Sequence, residues 1–299
     1  MSIIQSAIER AKLVPSASQE AAEEAQRVDA VIETGALIAA PSLVRWPKRD
    51  RQVVPIDMDY LRAVSLCAAS GGSRRQQDDY RAIRREVMGA TLRRPRPDRE
   101  PRGPIAVVTS ALPGDGKSFT SLNLALSIAS EGVHDVLLID ADTVKHTITN
   151  AFGLLEAPGL IEILENPASD FTASVVHTSN ERLHILPAGH RNEGATDLFS
   201  AGRILPFFNH LEALFRGHIV IIDTPPILLS PETPVMADAA GQVLLVVHAG
   251  HTLQDSFKDA ASRISQSVPV GVVLNAWDPL LPSEKKAYRG YAEYGRDSS

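Results

Sequence analysis

The chain has 299 residues, 44% of them hydrophobic and 5% aromatic, and a formal net charge of -6 at pH 7. That is enough to bury the core of one ordinary α/β domain and to leave roughly a hundred residues over, while the acidity argues against nucleic acid as the main partner, because phosphate backbones are held by clustered Lys and Arg. Cys67 is the one cysteine, so no internal disulfide is possible and a reducing compartment is expected. No apolar run approaches the ~20 residues of a spanning helix, and the opening "MSIIQSAIERAKL" has no apolar core of signal-peptide length. The expectation is a cytoplasmic protein.

Residues 1–75 read as an N-terminal extension, partly disordered and partly irregular helix. In "SIIQSAIERAKL" the spacing puts Ile4, Ala7, Ile8 and Ala11 on one helical face, which suits docking on a partner, on a membrane surface or on the chain's own domain. Residues 76–103 follow as a helix and linker, and the stretch from Arg74 to Arg102 is dense in arginine. Such a run reads as a solvated linker, an intersubunit clamp through Arg81 and Arg84, or a segment drawn to an anionic membrane leaflet.

Composition changes near residue 104. From there to about residue 280, "PIAVVTS", "DVLLID", "HIVIIDTPP", "GQVLLVVHAG" and "PVGVVLN" are apolar throughout, and helical lengths such as "SFTSLNLALSIASEG" and "TLQDSFKDAASRIS" separate them. Strands that are apolar on both faces and alternate with helices make crossover units of a parallel sheet. The predicted fold is therefore α/β, a doubly wound, mostly parallel sheet with its ligand crevice at the carboxyl ends of the strands.

Polar motifs fall at those ends. Ala111 to Ser118, "ALPGDGKS", fits a phosphate-binding loop with Ala at the usual first Gly, and it has the flanking strand and helix that the pattern demands. The stretch Pro113-Gly114-Asp115-Gly116-Lys117-Ser118-Phe119, whose backbone N–H groups begin at Gly114, and the helix N-terminus suit nucleotide phosphates. Lys117 can reach the β- and γ-phosphates, and Ser118 can ligate Mg2+. Asp140 and Asp142 in "VLLIDAD", and Asp223 in "IVIIDTPP", leave apolar strands as carboxylates that need a cation or a donor. A magnesium nucleotide supplies that partner. Residues 281–299 form a charged tail with Tyr288, Tyr291 and Tyr294 three residues apart, exposed tyrosines that can reach an active site, or else an aromatic stripe on a short helix.

These motifs resemble those of the bacterial tyrosine kinases that regulate extracellular polysaccharide production. The Asp140/Asp142 pair is similar to the family's second acidic motif, Asp223-Thr224-Pro225-Pro226 to its Walker B motif, and "DDYRAIRREV" to its Glu-x-x-Arg-x-x-Arg helix, with Asp78, Arg81 and Arg84 in the three places. "SIIQSAIERAK" and "VPIDMDYLRAVSL" further resemble the stand-alone cytoplasmic branch found with exosortase-type systems. The resemblance, which runs from about residue 76 to the end, implies a fold shared with the Min/Par ATPases and ATP and Mg2+ as cofactors. By it, Lys117 and the loop amides bind ATP, Ser118 and Asp223 hold Mg2+, Asp142 supports that metal site, and Asp140 accepts the tyrosine proton. It also implies that Asn275 contacts the adenine edge, although a strand-end Asn capping the following turn reads equally well.

By the same resemblance, Tyr288, Tyr291 and Tyr294 are autophosphorylated, and Asp78, Arg81 and Arg84 join copies into a homo-oligomer. A separate membrane-bound polysaccharide co-polymerase activates the kinase and recruits it to the inner face of the membrane. The chain departs from the family at Phe119, where relatives have Thr, and at Val144, where they have Arg, with Lys145 alongside. Two alternatives stay open. A switch ATPase of the Min/Par type would carry a Lys at the place of Leu112, and a catalytically weak ATP-binding scaffold is consistent with Phe119 and Val144.

Overall fold

The computed structural model describes residues 53–67, 74–92, 103–190 and 198–276. In chain order the elements are β1 (Val53–Val54), α1 (Met58–Ala63), α2 (Arg74–Leu92), β2 (Ile105–Ser110), α3 (Lys117–Ala129), β3 (Val136–Asp140), α4 (Thr147–Ala151), α5 (Leu160–Glu165), a 3-10 turn (Phe171–Ala173) and β4 (Val176–Thr178). There follow β5 (Leu183–Leu186), α6 (Ala201–Leu214), β6 (Ile219–Asp223), α7 (Glu232–Ala239), β7 (Gln242–His248), α8 (Gln254–Ser262) and β8 (Val270–Asn275).

The strands form one eight-stranded sheet in the order β1-β4-β5-β3-β6-β2-β7-β8. Every pairing is parallel except β4 with β5. All residues of β2, β3 and β6 are buried, as their unbroken apolar sequences require, because helices cover both faces. Leu137 and Ile139 of β3 face a core with α5, α6, α7 and α8, whereas Val136 and Leu138 face a second core with α1, α2, α3 and α4. Each such side chain contributes about 1.5–3 kcal/mol when fully buried.

Two features depart from the sequence reading. Val53 and Val54, assigned to the extension, pair with His177 and Thr178 and so extend the sheet by one strand. Asp57 caps the helix that follows, its carboxylate accepting from the amides of Asp59 and Tyr60, and Leu61 of that helix is buried in the second core. The helix expected, with a linker, in residues 76–103 spans Arg74–Leu92 and buries Val87 and Met88 in the same core. Gln242 at the start of β7 reinforces this contact by donating to Val87 O at 3.0 Å and to Thr91 Oγ1 at 2.8 Å.

Sheet order decides where the chemistry gathers. Strand β6 lies between β3 and β2, and its register sets Asp223 beside Asp140 on one side and Val108 on the other. The phosphate-binding loop leaves β2 three residues beyond Val108, so the loop and both acids share one edge of the sheet.

Candidate active site

The loop from Ala111 to Ser118 joins β2 to α3. Gly114 and Gly116 have φ of 90° and 94°, a left-handed conformation that glycine adopts at no steric cost. Gly116 is also close-packed: a Cβ there would stand 1.9 Å from Asn275 Nδ2. No side chain caps the N-terminus of α3, so its first amides remain available to an anion. Asn275 donates from Nδ2 to Asp115 O at 3.0 Å, so in this structure the end of β8 braces the loop.

Three carboxylates and Lys117 converge below the loop. Lys117 Nζ lies 3.3 Å from Asp142 Oδ2, with both side chains almost wholly buried. Asp142 Oδ1 accepts from Lys145 N at 3.0 Å. Asp140 is fully enclosed: Oδ2 accepts from Thr149 N and Thr149 Oγ1, each at 2.8 Å, and Oδ1 from Asp142 N at 3.2 Å. Burial nevertheless pushes the Asp140 carboxyl above the usual carboxylate range, against the two Thr149 bonds. Asp223 is also fully buried and is pushed up to about 7 by desolvation, with Lys117 opposing the shift and Asp140 adding to it. Its Oδ1 lies 3.0 Å from the Ser121 hydroxyl.

The site residues fit a hydrated magnesium nucleotide. Asp142 Oδ2 and Asp223 Oδ2 are buried and accept no hydrogen bond. Hard carboxylate oxygens short of hydrogen bonds, Asp142 Oδ2 facing only the Lys117 ammonium and Asp223 set beside the Ser118 hydroxyl, are what Mg2+ takes, and it draws its remaining ligands from phosphates and water. Among the described residues no group of three or more His, Cys, Asp or Glu could hold a metal without such help.

The remaining predicted residues are placed as follows. The half-buried Phe119 packs its ring 6.3 Å from that of Tyr80 on α2, at a tilt of 60°. Val144 and Lys145 are exposed beside Asp142. Arg81 pairs with Asp78 at 2.8 Å on the surface of α2. Arg84 turns inward, donating to Ser127 O at 3.0 Å and lying 3.4 Å from Glu131, so it ties α2 to α3 within one chain. Tyr288, Tyr291 and Tyr294 lie outside the described residues.

Several residues that shape the site were not picked out from the sequence. Ser121 has its hydroxyl 3.0 Å from both Lys117 O and Asp223 Oδ1. Thr149 orients Asp140 and also accepts from Ala188 N at 2.9 Å. Ser121 follows Lys117 by one helical turn, and that spacing is the only hint the sequence held.

No family model matches the chain. It is 31% identical over 221 residues to the tyrosine-protein kinase YwqD of Bacillus subtilis (strain 168), covering 73% of this chain and 84% of that protein. Over 197 residues it is 32% identical to the tyrosine-protein kinase CpsD of Streptococcus agalactiae, with coverage of 64% and 82%. Among solved structures, the kinase domain of Escherichia coli tyrosine kinase ETK superposes with a TM-score of 0.61 at 23% identity, over 83% of this chain and 88% of that one. The chimerical protein CapA2B2 superposes with a TM-score of 0.59 at 26% identity, over 79% and 96%. A phosphate loop that opens onto paired strand-end carboxylates and a similarity spanning most of a tyrosine kinase lead to one conclusion: the chain belongs to the family of bacterial tyrosine kinases.

Proposed function

We propose that the chain is an ATP-dependent protein-tyrosine autokinase that regulates the production and export of an exopolysaccharide or capsule. The observation that carries this reading is the convergence of Lys117, Asp140, Asp142 and Asp223 beneath an open helix N-terminus, within a chain that belongs to the tyrosine-kinase family.

The loop amides and the N-terminus of α3 hold the polyphosphate of ATP. Lys117, in exchange for its contact with Asp142, would meet the β- and γ-phosphates, and Ser118, Asp142 and Asp223 would hold Mg2+. The metal, when bound, neutralises charge on the phosphates and fixes their orientation. Asp140 takes the proton of the attacking tyrosine at Oδ1, whose single bond from Asp142 N leaves a lone pair. As the phenolic oxygen bonds to the γ-phosphorus, the bond to the β-phosphate oxygen breaks and ADP departs. Positioning and charge neutralisation supply most of the acceleration. The raised Asp140 carboxyl suits a proton acceptor better than an ordinary surface carboxylate would.

Tyr288, Tyr291 and Tyr294 are the acceptors in this reading, presented by one copy to the site of another. The chain works as a homo-oligomer, with Asp78 and Arg81 on the exposed side of α2 available to a neighbour, and with no nucleic-acid partner. A separate membrane-bound co-polymerase activates it and brings a cytoplasmic protein to the inner face of the membrane. Among the described residues no helix is long and apolar enough to cross a membrane.

One observation favours a second reading, a catalytically weak ATP-binding scaffold. Phe119 places a ring against Tyr80 where the family resemblance implies the hydroxyl of a Thr. Incubation with labelled ATP and Mg2+ in the presence of the activator, followed by phosphotyrosine analysis, separates the two. Label on tyrosine supports the kinase, and bound but untransferred ATP supports the scaffold.

A further inference from the structure

Asp115 is a carboxylate inside a phosphate-binding loop, and it is fully buried. A negative charge there repels a bound polyphosphate and has lost its water, so its direction matters. Its Oδ2 accepts from Leu112 N at 3.0 Å, across the loop. Its Oδ1 accepts from Thr252 Oγ1 at 2.7 Å, although Thr252 is 137 residues away in the chain. The Thr252 hydroxyl in turn accepts from His248 N at 2.9 Å, at the last residue of β7. Its single proton is thus committed to Asp115.

The turn between β7 and α8 is built around this hydroxyl. Thr252 N donates to His248 O at 3.0 Å, and the rings of His248 and His251 meet edge to face at 5.3 Å. His251 Nδ1 stands 3.9 Å from Asp115 Oδ1 on the solvent side. Two strand ends therefore brace the phosphate loop, β8 through Asn275 on the Asp115 carbonyl and β7 through Thr252 on its carboxylate.

We propose that Thr252 is a positioning residue for nucleotide binding, whose hydroxyl holds the Asp115 carboxylate away from the phosphates and so keeps the loop amides converged. The inference rests on the reading of this loop as the site of the magnesium nucleotide. Valine has the shape of threonine without the proton, so Thr252→Val leaves Asp115 Oδ1 buried without its neutral donor. The carboxylate then turns toward the phosphate cradle and the loop loses its preformed shape.

The test is calorimetric titration of the full chain with Mg·ADP, which needs no activator. Wild type is expected to bind, and Thr252→Val to bind about tenfold more weakly, the loss of one hydrogen bond to a charged acceptor. The thermal midpoint of the nucleotide-free variant should stay within about 4 °C of wild type. Thr252→Ser restores the proton and should restore affinity to within about twofold. In an Asp115→Ala background, Thr252→Val should cause no further loss, because the two act through one contact. In the activated kinase the same variant should raise the KM for ATP and leave kcat unchanged. A Thr252→Val protein that binds like wild type overturns this inference alone, as does an equal further loss in the Asp115→Ala background. A large fall in thermal midpoint that serine fails to reverse also overturns it. Wild type that does not bind Mg·ADP overturns both the inference and the nucleotide reading beneath it.

Discussion

Lys117 Nζ stands 3.3 Å from Asp142 Oδ2, and the pair is almost entirely shielded from water. Without a nucleotide, the lysine thus neutralises one of the acids that the metal is expected to use. Replacing it separates two effects. Lys117→Met should abolish binding of Mg·ATP, and it should also destabilise the chain, by up to about 3–5 kcal/mol, because Asp142 is left as an uncompensated buried charge. Adding Asp142→Asn should recover most of that stability and none of the binding. Thermal melts with calorimetric titration check both halves, and autophosphorylation by Lys117→Met would refute the site.

Asp140 and Asp223 lie side by side but should fail differently. Asp140→Asn should still bind Mg·ATP and lose transfer by about 10²–10⁴-fold, the range of a missing general base. Asp223→Asn should lose its dependence on Mg2+. The pH behaviour follows from the upward shift of Asp223 to about 7. Between the ordinary carboxylate range and pH 7 the native state keeps a proton that the unfolded chain has released. The metal-free protein therefore loses stability as pH rises through that window, whereas Mg·ATP, which needs the carboxylate, binds more tightly and releases a proton. Titrations at pH 6 and pH 8 in buffers of different ionisation enthalpy measure this. An affinity and proton count equal at both pH values, with Asp223→Asn indistinguishable from wild type, would make the acid structural.

Arg81 and Arg84 belong to one sequence pattern and now separate. Arg81 is exposed and, among the described residues, paired with Asp78 one turn away, an interaction worth ~0–1 kcal/mol. Arg81→Ala should shift the protein toward monomer in sedimentation with no change in thermal midpoint. Arg84→Ala should lower the midpoint, because Ser127 O loses its guanidinium donor and α2 its tie to α3. An oligomer distribution untouched by Arg81→Ala would return α2 to a purely internal role.

The tyrosine cluster gives the test that best separates a kinase from a switch ATPase. With its activator present, wild type should carry phosphate on Tyr288, Tyr291 and Tyr294, and changing all three to Phe should remove most of the phosphotyrosine while ATP binding is kept. Each phosphate adds roughly −1.5 to −2 charges beside Lys285, Lys286 and Arg289, so a multiply modified tail should loosen the oligomer. Mass spectrometry of the tail peptide and sedimentation with and without ATP read both effects. A tail left unmodified while ATP is hydrolysed would favour the ATPase.

Much of this was legible before any coordinates. The five long strands were readable because helices cover both faces of the central ones, leaving runs such as "VLLID" and "IVIID" without a polar residue until the carboxylate at the end. The phosphate loop was readable because its glycines, lysine and serine are local in the chain. Strands β1, β4 and β5, of two to four residues, were missed because they are too short to show a period. Arg84 lay in the right motif, yet its partner is the end of α3, 43 residues on. The contacts that brace the site were invisible for a related reason, even at Asn275, which the sequence had singled out for another role. Ser121 meets Asp223 across 102 residues, Thr252 meets Asp115 across 137 and Asn275 meets Asp115 across 160. A local pattern encodes which faces of a strand are covered and which backbone turns a loop can make. Which hydroxyl or amide satisfies a buried carboxylate depends on which strand ends come to lie side by side, and that follows from the order β3-β6-β2-β7-β8 in the folded sheet.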